Sequence, residues 1–119
     1  NTRWADVLAL GFDMLSIDSA LSLGEVLDVL RSVERAPLLS LGVIPTHRMG
    51  THFFPWEPGP HWVDATVASV QEAFESRGLA FPQSLWVTPA CGLGLQSVQN
   101  ALATKELLEA VANRLRSRR

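Results

Sequence analysis

The chain has 119 residues, of which 47% are hydrophobic and 18% charged, and its formal net charge is -2. That balance describes one domain with a buried core and argues against a disordered chain or a general nucleic-acid binder. The single cysteine excludes an internal disulfide and any zinc knuckle closed by several cysteines.

The first pattern runs from Thr2 to Leu10 and predicts a helix. Trp4, Val7 and Leu8 share one face, and Gly11 stands where a C-terminal cap belongs. Phe12 to Asp18 is a short apolar run bounded by polar residues, which predicts a strand. A helix is expected to open at Ser22, because Ser22 and Glu25 have the spacing of a capping box. Leu23, Val26, Leu27, Leu30 and Val33 follow at helical spacing, and Pro37 ends the run. Leu38 to Ile44 is almost continuously apolar, as in a strand buried on both faces.

A long loop from Pro45 to Gly59 follows, and the next helix is expected to start near Pro60. Its stripe is Val63, Val67, Val70 and Phe74, and Gly78 closes it. Leu85-Trp86-Val87 predicts the third strand. A last helix runs from about Ser97 to Arg116, with Leu108, Val111 and Leu115 on one face. Arg114, Arg116, Arg118 and Arg119 concentrate positive charge there, which suits a helix C-terminus and also fits a basic arm for a partner.

One helix and then three strand–helix units predict an α/β fold with a parallel sheet, right-handed crossovers and covering helices. Three strands leave two open edges. Either a missing N-terminal part or self-association is expected to complete the sheet. The chain starts at Asn1 rather than at a methionine, so a piece of a longer protein is also expected. No apolar run approaches the ~20 residues of a membrane span. The first ten residues lack the pattern of a signal peptide, and one lone cysteine fits a reduced, cytoplasmic setting.

In parallel α/β folds the functional residues gather after the carboxyl ends of strands. Asp18, the Pro45-Thr46-His47 segment and the Pro89-Ala90-Cys91-Gly92 segment occupy those places. A carboxylate, an imidazole and a thiol would converge there, a donor set that suits zinc. Each residue also has a plainer reading. Asp18 suits a turn into the helix. His47 suits an exposed loop, and Cys91 suits a small buried hydrophobe. His52, Phe53, Phe54 and Trp56, with His61 and Trp62 beyond, either stack on a flat ligand or seal a contact surface. Gly92 and Gly94 form only G-x-G, a weak phosphate signal.

Leu85-Trp86-Val87-Thr88-Pro89-Ala90-Cys91-Gly92-Leu93 resembles the last barrel strand of cobalamin-independent methionine synthase. That family carries a W-V-N-P-D-C-G-L-type motif whose cysteine binds zinc. Asp13 to Ser19 is similar to its D-V-I-S-I-E-A strand, whose glutamate is a zinc ligand. Gly42-Val43-Ile44-Pro45-Thr46-His47 is similar to its G-V-Y-D-I-H segment, whose histidine is proposed as a catalytic acid. The resemblance spans nearly the whole chain. It implies that residues 1–119 are the last three strand–helix units of a TIM (β/α)8 barrel, with a preceding helix. It implies a zinc cofactor held by Cys91 and Asp18, with His47 catalytic. It also implies methyl transfer from 5-methyltetrahydrofolate, a folate, to homocysteine in methionine biosynthesis.

Several positions depart from the family pattern. Asp18 stands for a glutamate, Pro45 and Ala90 each stand for an aspartate, and Gly94-Leu95-Gln96 replaces K-T-R. The family's H-x-C zinc pair does not occur in the chain. A divergent relative is therefore expected, and the wider superfamily includes uroporphyrinogen decarboxylase. A corrinoid-linked methyltransferase and a non-catalytic α/β binding module are the alternatives.

Overall fold

The computed structural model describes residues 2–44, 61–90 and 98–117. Helix α1 (Trp4–Ala9) leads into strand β1 (Met14–Asp18) and helix α2 (Ser19–Leu30). Strand β2 (Leu38–Ile44), helix α3 (His61–Glu75), strand β3 (Trp86–Pro89) and helix α4 (Val98–Ser117) follow. The strands form one parallel sheet in the order β1-β2-β3. Chain order and sheet order therefore coincide, as in a fold that winds in one direction. This is a small α/β unit compatible with part of a barrel.

Alternate strand residues point to opposite faces. Ile17, Leu39, Leu41 and Val43 share a face and join a core with Val26 and Leu27 of α2, Val67, Val70 and Phe74 of α3, and Val111 and Leu115 of α4. The helical stripes expected from spacing thus pack on one side of the sheet, except that α2 ends at Leu30 and Val33 lies beyond it. Met14, Ser16 and Asp18 alternate to the other side, in register with Leu38, Ser40 and Gly42. Ser16 is exposed, and Met14 and Trp86 are 38% and 56% exposed. The helix layer covers one face, while the second is partly open to solvent.

Local chemistry explains where the elements stop. Gly11 adopts φ 76° and Gly78 φ 67°, the left-handed conformation that glycine adopts without Cβ strain. At Gly78 the chain makes a paired cap: Gly78 N–H donates to Glu75 at 3.0 Å and Leu79 N–H to Phe74 at 3.0 Å. Strand β1 starts two residues later than the apolar run, at Met14 opposite Leu38. Pro37 precedes Leu38 and has no N–H to extend the ladder. Strand β3 runs on to Pro89, past the expected Val87, because a proline is tolerated at a strand end.

Ion pairs tie the helices together. Arg77 of the α3 cap passes over Gly24 and meets Asp28 of α2 at 2.8 Å. Arg114 of α4 pairs with Asp64 of α3, and Arg116 donates to Asn113 at 2.9 Å. Two of the C-terminal arginines are thus engaged within the fold. Arg118 and Arg119 lie outside the described residues.

Among the described residues both outer strands carry an unpaired edge, and the face beside them exposes Met14 and Trp86. The isolated chain is accordingly expected to self-associate. Sedimentation velocity should show oligomers or a broad distribution. One sharp species at the mass of a single chain, across concentrations, would contradict this.

Candidate active site at the carboxyl edge of the sheet

Parallel strands bring their carboxyl ends to one edge. Asp18 is the last residue of β1 and stands in register with Gly42, which stands in register with Thr88. A row of one carboxylate, one glycine and one hydroxyl-bearing residue therefore crosses all three strands. Beyond that row the ladder is irregular, and Ile44 pairs with Pro89. Ala90 N–H donates to Ile44 at 2.9 Å, which closes the end of β3 onto β2.

Asp18 also begins α2. Its backbone is extended, with φ -74° and ψ 114°. Its Oδ1 accepts from Ala20 N–H at 3.1 Å and from Leu21 N–H at 3.3 Å. The helix therefore opens at Ser19, and the expected start at Ser22 is corrected. Ser22 and Glu25 lie inside the helix rather than forming its cap. The strand runs straight into the helix, and aspartate is a strong N-cap residue that takes the orphan N–H groups first. The turn-forming reading of Asp18 thus describes a contact the side chain makes.

That contact leaves room for a second role. Oδ2 of Asp18 has no hydrogen-bond partner among the described residues. Asp18 is half-buried and is one of the residues around a cavity of about 660 Å³ between α2, α3 and the end of β2, with Ser19, Gly42, Trp62 and Thr66. An oxygen fixed through its partner atom is preorganised toward a ligand, as carboxylates at metal sites commonly are. Asp18 thus fits one corner of a metal site. No group of three or more His, Cys, Asp or Glu that could hold a metal occurs among the described residues. Zinc takes at least three protein ligands, so Asp18 by itself could not hold it.

His47 and Cys91 lie outside the described residues, as do the aromatic loop from Pro45 to Gly59 and the Gly92–Gly94 pair. The described chain on either side still constrains where they attach. Ile44 precedes His47 by three residues, and Ala90 immediately precedes Cys91. Both belong to the edge that carries Asp18. His61 is exposed in the first turn of α3, and Trp62 is half-buried against the core.

Sequence reasoning did not single out Gly42, although G-V-I ahead of Pro45 carried a signal: a glycine inside an apolar strand marks a close approach. It also did not anticipate Asn100 and Thr104, which are 3% and 0% exposed in α4. Thr104 Oγ1 donates back to the Asn100 carbonyl at 2.9 Å, a bond that lets a polar side chain be buried in a helix.

The capping role of Asp18 is open to test by substitution. Asp18→Ala should destabilise the fold by about 1 kcal/mol through loss of the cap, whereas Asp18→Asn, an equally good N-cap, should cost much less. Urea midpoints of the two variants measure this. Equal losses would show that the capping bonds do not matter.

No helix among the described residues is long and apolar enough to cross a membrane. A comparison with curated proteins finds no match. The family model described as the catalytic domain of cobalamin-independent synthase matches residues 1–114. A match over nearly the whole chain, on a parallel sheet with its site candidates at the carboxyl edge, places this chain in the family of the cobalamin-independent methionine synthase catalytic domain.

Proposed function

We propose that this chain forms the last three strand–helix units of a (β/α)8 barrel, and that the complete barrel transfers a methyl group from 5-methyltetrahydrofolate to the thiol of homocysteine. The observation that carries the reading is the row Asp18–Gly42–Thr88. It aligns the strand ends that lead to His47 and Cys91 beside a fixed carboxylate, in a chain of this family.

Asp18 and Cys91 would hold zinc, with the remaining protein ligands supplied from outside these residues. The chemistry that zinc supplies when bound is to lower the pKa of the homocysteine thiol, so that sulfur is a thiolate at neutral pH. The N-terminus of α2 orients Asp18 through Oδ1 and leaves Oδ2 for the metal side. A sulfur–carbon bond forms as the carbon–nitrogen bond to the pterin breaks. His47 gives the departing pterin nitrogen its proton, directly or through one water. The helix layer on the far face of the sheet holds the strand ends in place for this geometry. The cytoplasm, where one-carbon donors and a reduced thiol coexist, is the compartment that suits the reaction.

The test is a methyl-transfer assay on the full-length gene product. Transfer to homocysteine should be lost on chelation and restored by zinc. Absence of transfer from any folate or corrinoid donor would overturn the reading.

A further inference from the structure

We propose that the open end of the sheet formed by β3 and α4 is a docking surface for the β1 end of a second copy of this chain, joined head to tail by parallel strand pairing. The inference does not rest on the methyl-transfer reading, because the chain presents these surfaces whether or not it is catalytic.

The exposed apolar side chains are not scattered. Seven large hydrophobic residues are exposed among the described ones. Leu10, Phe12 and Met14 lead into β1 or start it, and Trp86, Val98 and Leu102 belong to β3 and α4. Single apolar residues are ordinary on a surface. Two groups of them, one at each unpaired strand edge, mark contacts.

The β3 end is also shaped for a strand. A cavity of about 500 Å³ lies between β3 and α4, with Leu85, Trp86, Val87, Leu108, Ala112 and Arg116 around it. No residue of β2 or α3 lines it, which puts it on the free side of β3. Val111 and Leu115 of α4 are buried in the core, so α4 covers the sheet with one side and overhangs this slot with the next. A strand added here gains backbone hydrogen bonds along the edge and a place for its side chains under α4.

The chain itself carries the complement. Strand β1 has its own free edge and runs in the direction of β3. A copy rotated about an axis along the strands therefore continues the same parallel sheet. Ser16, Ser40 and Trp86 stand at one level across the strands. A copy docked at that level sets its Met14 on the face that carries Trp86, and its half-buried Leu15 on the face that α4 covers. Charge does not oppose the contact, since Asp13 pairs with Arg35 at one end and Glu109 with Lys105 at the other. The two surfaces differ, so the contact is heterologous, and each copy gives one end and receives the other.

Two variants with one altered end each test this. Phe12→Lys with Met14→Lys alters the β1 end, and Trp86→Lys with Leu102→Lys alters the β3 end. All four positions are exposed, and lysine is a residue that guards natural strand edges. Sedimentation velocity in reducing buffer should show the wild-type chain associating. Each variant alone should weaken association roughly tenfold or more and run as one chain where wild type associates. An equimolar mixture should form a species of two chains and nothing larger, because each variant keeps the end that the other lost. Leu21→Lys, exposed on α2, should associate within about twofold of wild type.

A wild-type chain that stays single overturns the proposal, and so does a mixture that stays single. Either variant pairing with itself would show like-to-like contact and overturn the head-to-tail arrangement. Loss of association in Leu21→Lys would place the contact elsewhere and overturn it too. Circular dichroism reports folding. Should a double variant not fold, Phe12→Lys and Leu102→Lys, single changes outside the strands, take its place with the same expected pattern and the same overturning results.

Discussion

Cys91→Ser is expected to abolish zinc-dependent methyl transfer by the complete enzyme while leaving its fold in place. The thiolate is the softest donor this chain offers, and a serine hydroxyl neither ionises at neutral pH nor matches zinc as well. Loss of a group that merely supports a metal ligand costs ~10–100-fold in metal affinity or activity, so loss of a ligand itself should exceed that. Serine differs from cysteine by one atom, so little packing changes. Metal content by mass spectrometry, turnover and circular dichroism should be read on the same preparation. Retention of both metal and turnover would make Cys91 structural and would remove it from the metal site.

Leu41→Ala should produce the largest loss of stability. Leu41 is 0% exposed at the middle of the central strand, in register with Ile17 on one side and Val87 on the other. Its side chain fills the layer between the sheet and its helices. Removing such a side chain loses the transfer free energy and leaves a cavity that rigid neighbours cannot close, for about 2–5 kcal/mol. A domain is stable by only about 5–15 kcal/mol, and this one packs helices on one face of its sheet. The loss is therefore a large share of the total, and the urea midpoint should fall far. Leu21→Ala provides the control: Leu21 is 77% exposed on α2 and should change stability by about 0.5 kcal/mol or less. Urea titration followed by circular dichroism reads both. Similar midpoints for the two variants would show that Leu41 does not anchor the core.

The local layer of this protein was legible in its residues. Alternation of short apolar runs with 3.6-residue periodicity placed every described strand and helix in the right order. The stripes Leu23–Val26–Leu27 and Val67–Val70–Phe74 are buried as their spacing requires. Gly11 and Gly78 end helices with positive φ, because the penalty they avoid is a property of a single residue. The motif around Cys91 led to the family that the match over residues 1–114 shows. These signals need only near neighbours in the chain, so no tertiary information is required to read them.

The tertiary structure decided what depends on residues far apart. Sheet order and register set Asp18 against Gly42 and Thr88, and no periodicity in the chain specifies those pairings. The start of α2 is a choice between two N-caps, Asp18 and Ser22, each suited to the N–H groups two and three residues after it. Asp18 wins because β1 delivers it, extended, directly to the helix. The close approach at Gly42 involves the backbone of Ala90, 48 positions later, which no local pattern specifies. Asn100 and Thr104 are polar side chains that only the docking of α4 buries. Helical and strand patterns are stored in neighbouring side chains, whereas a site is made where distant backbones meet, and that meeting is set by packing.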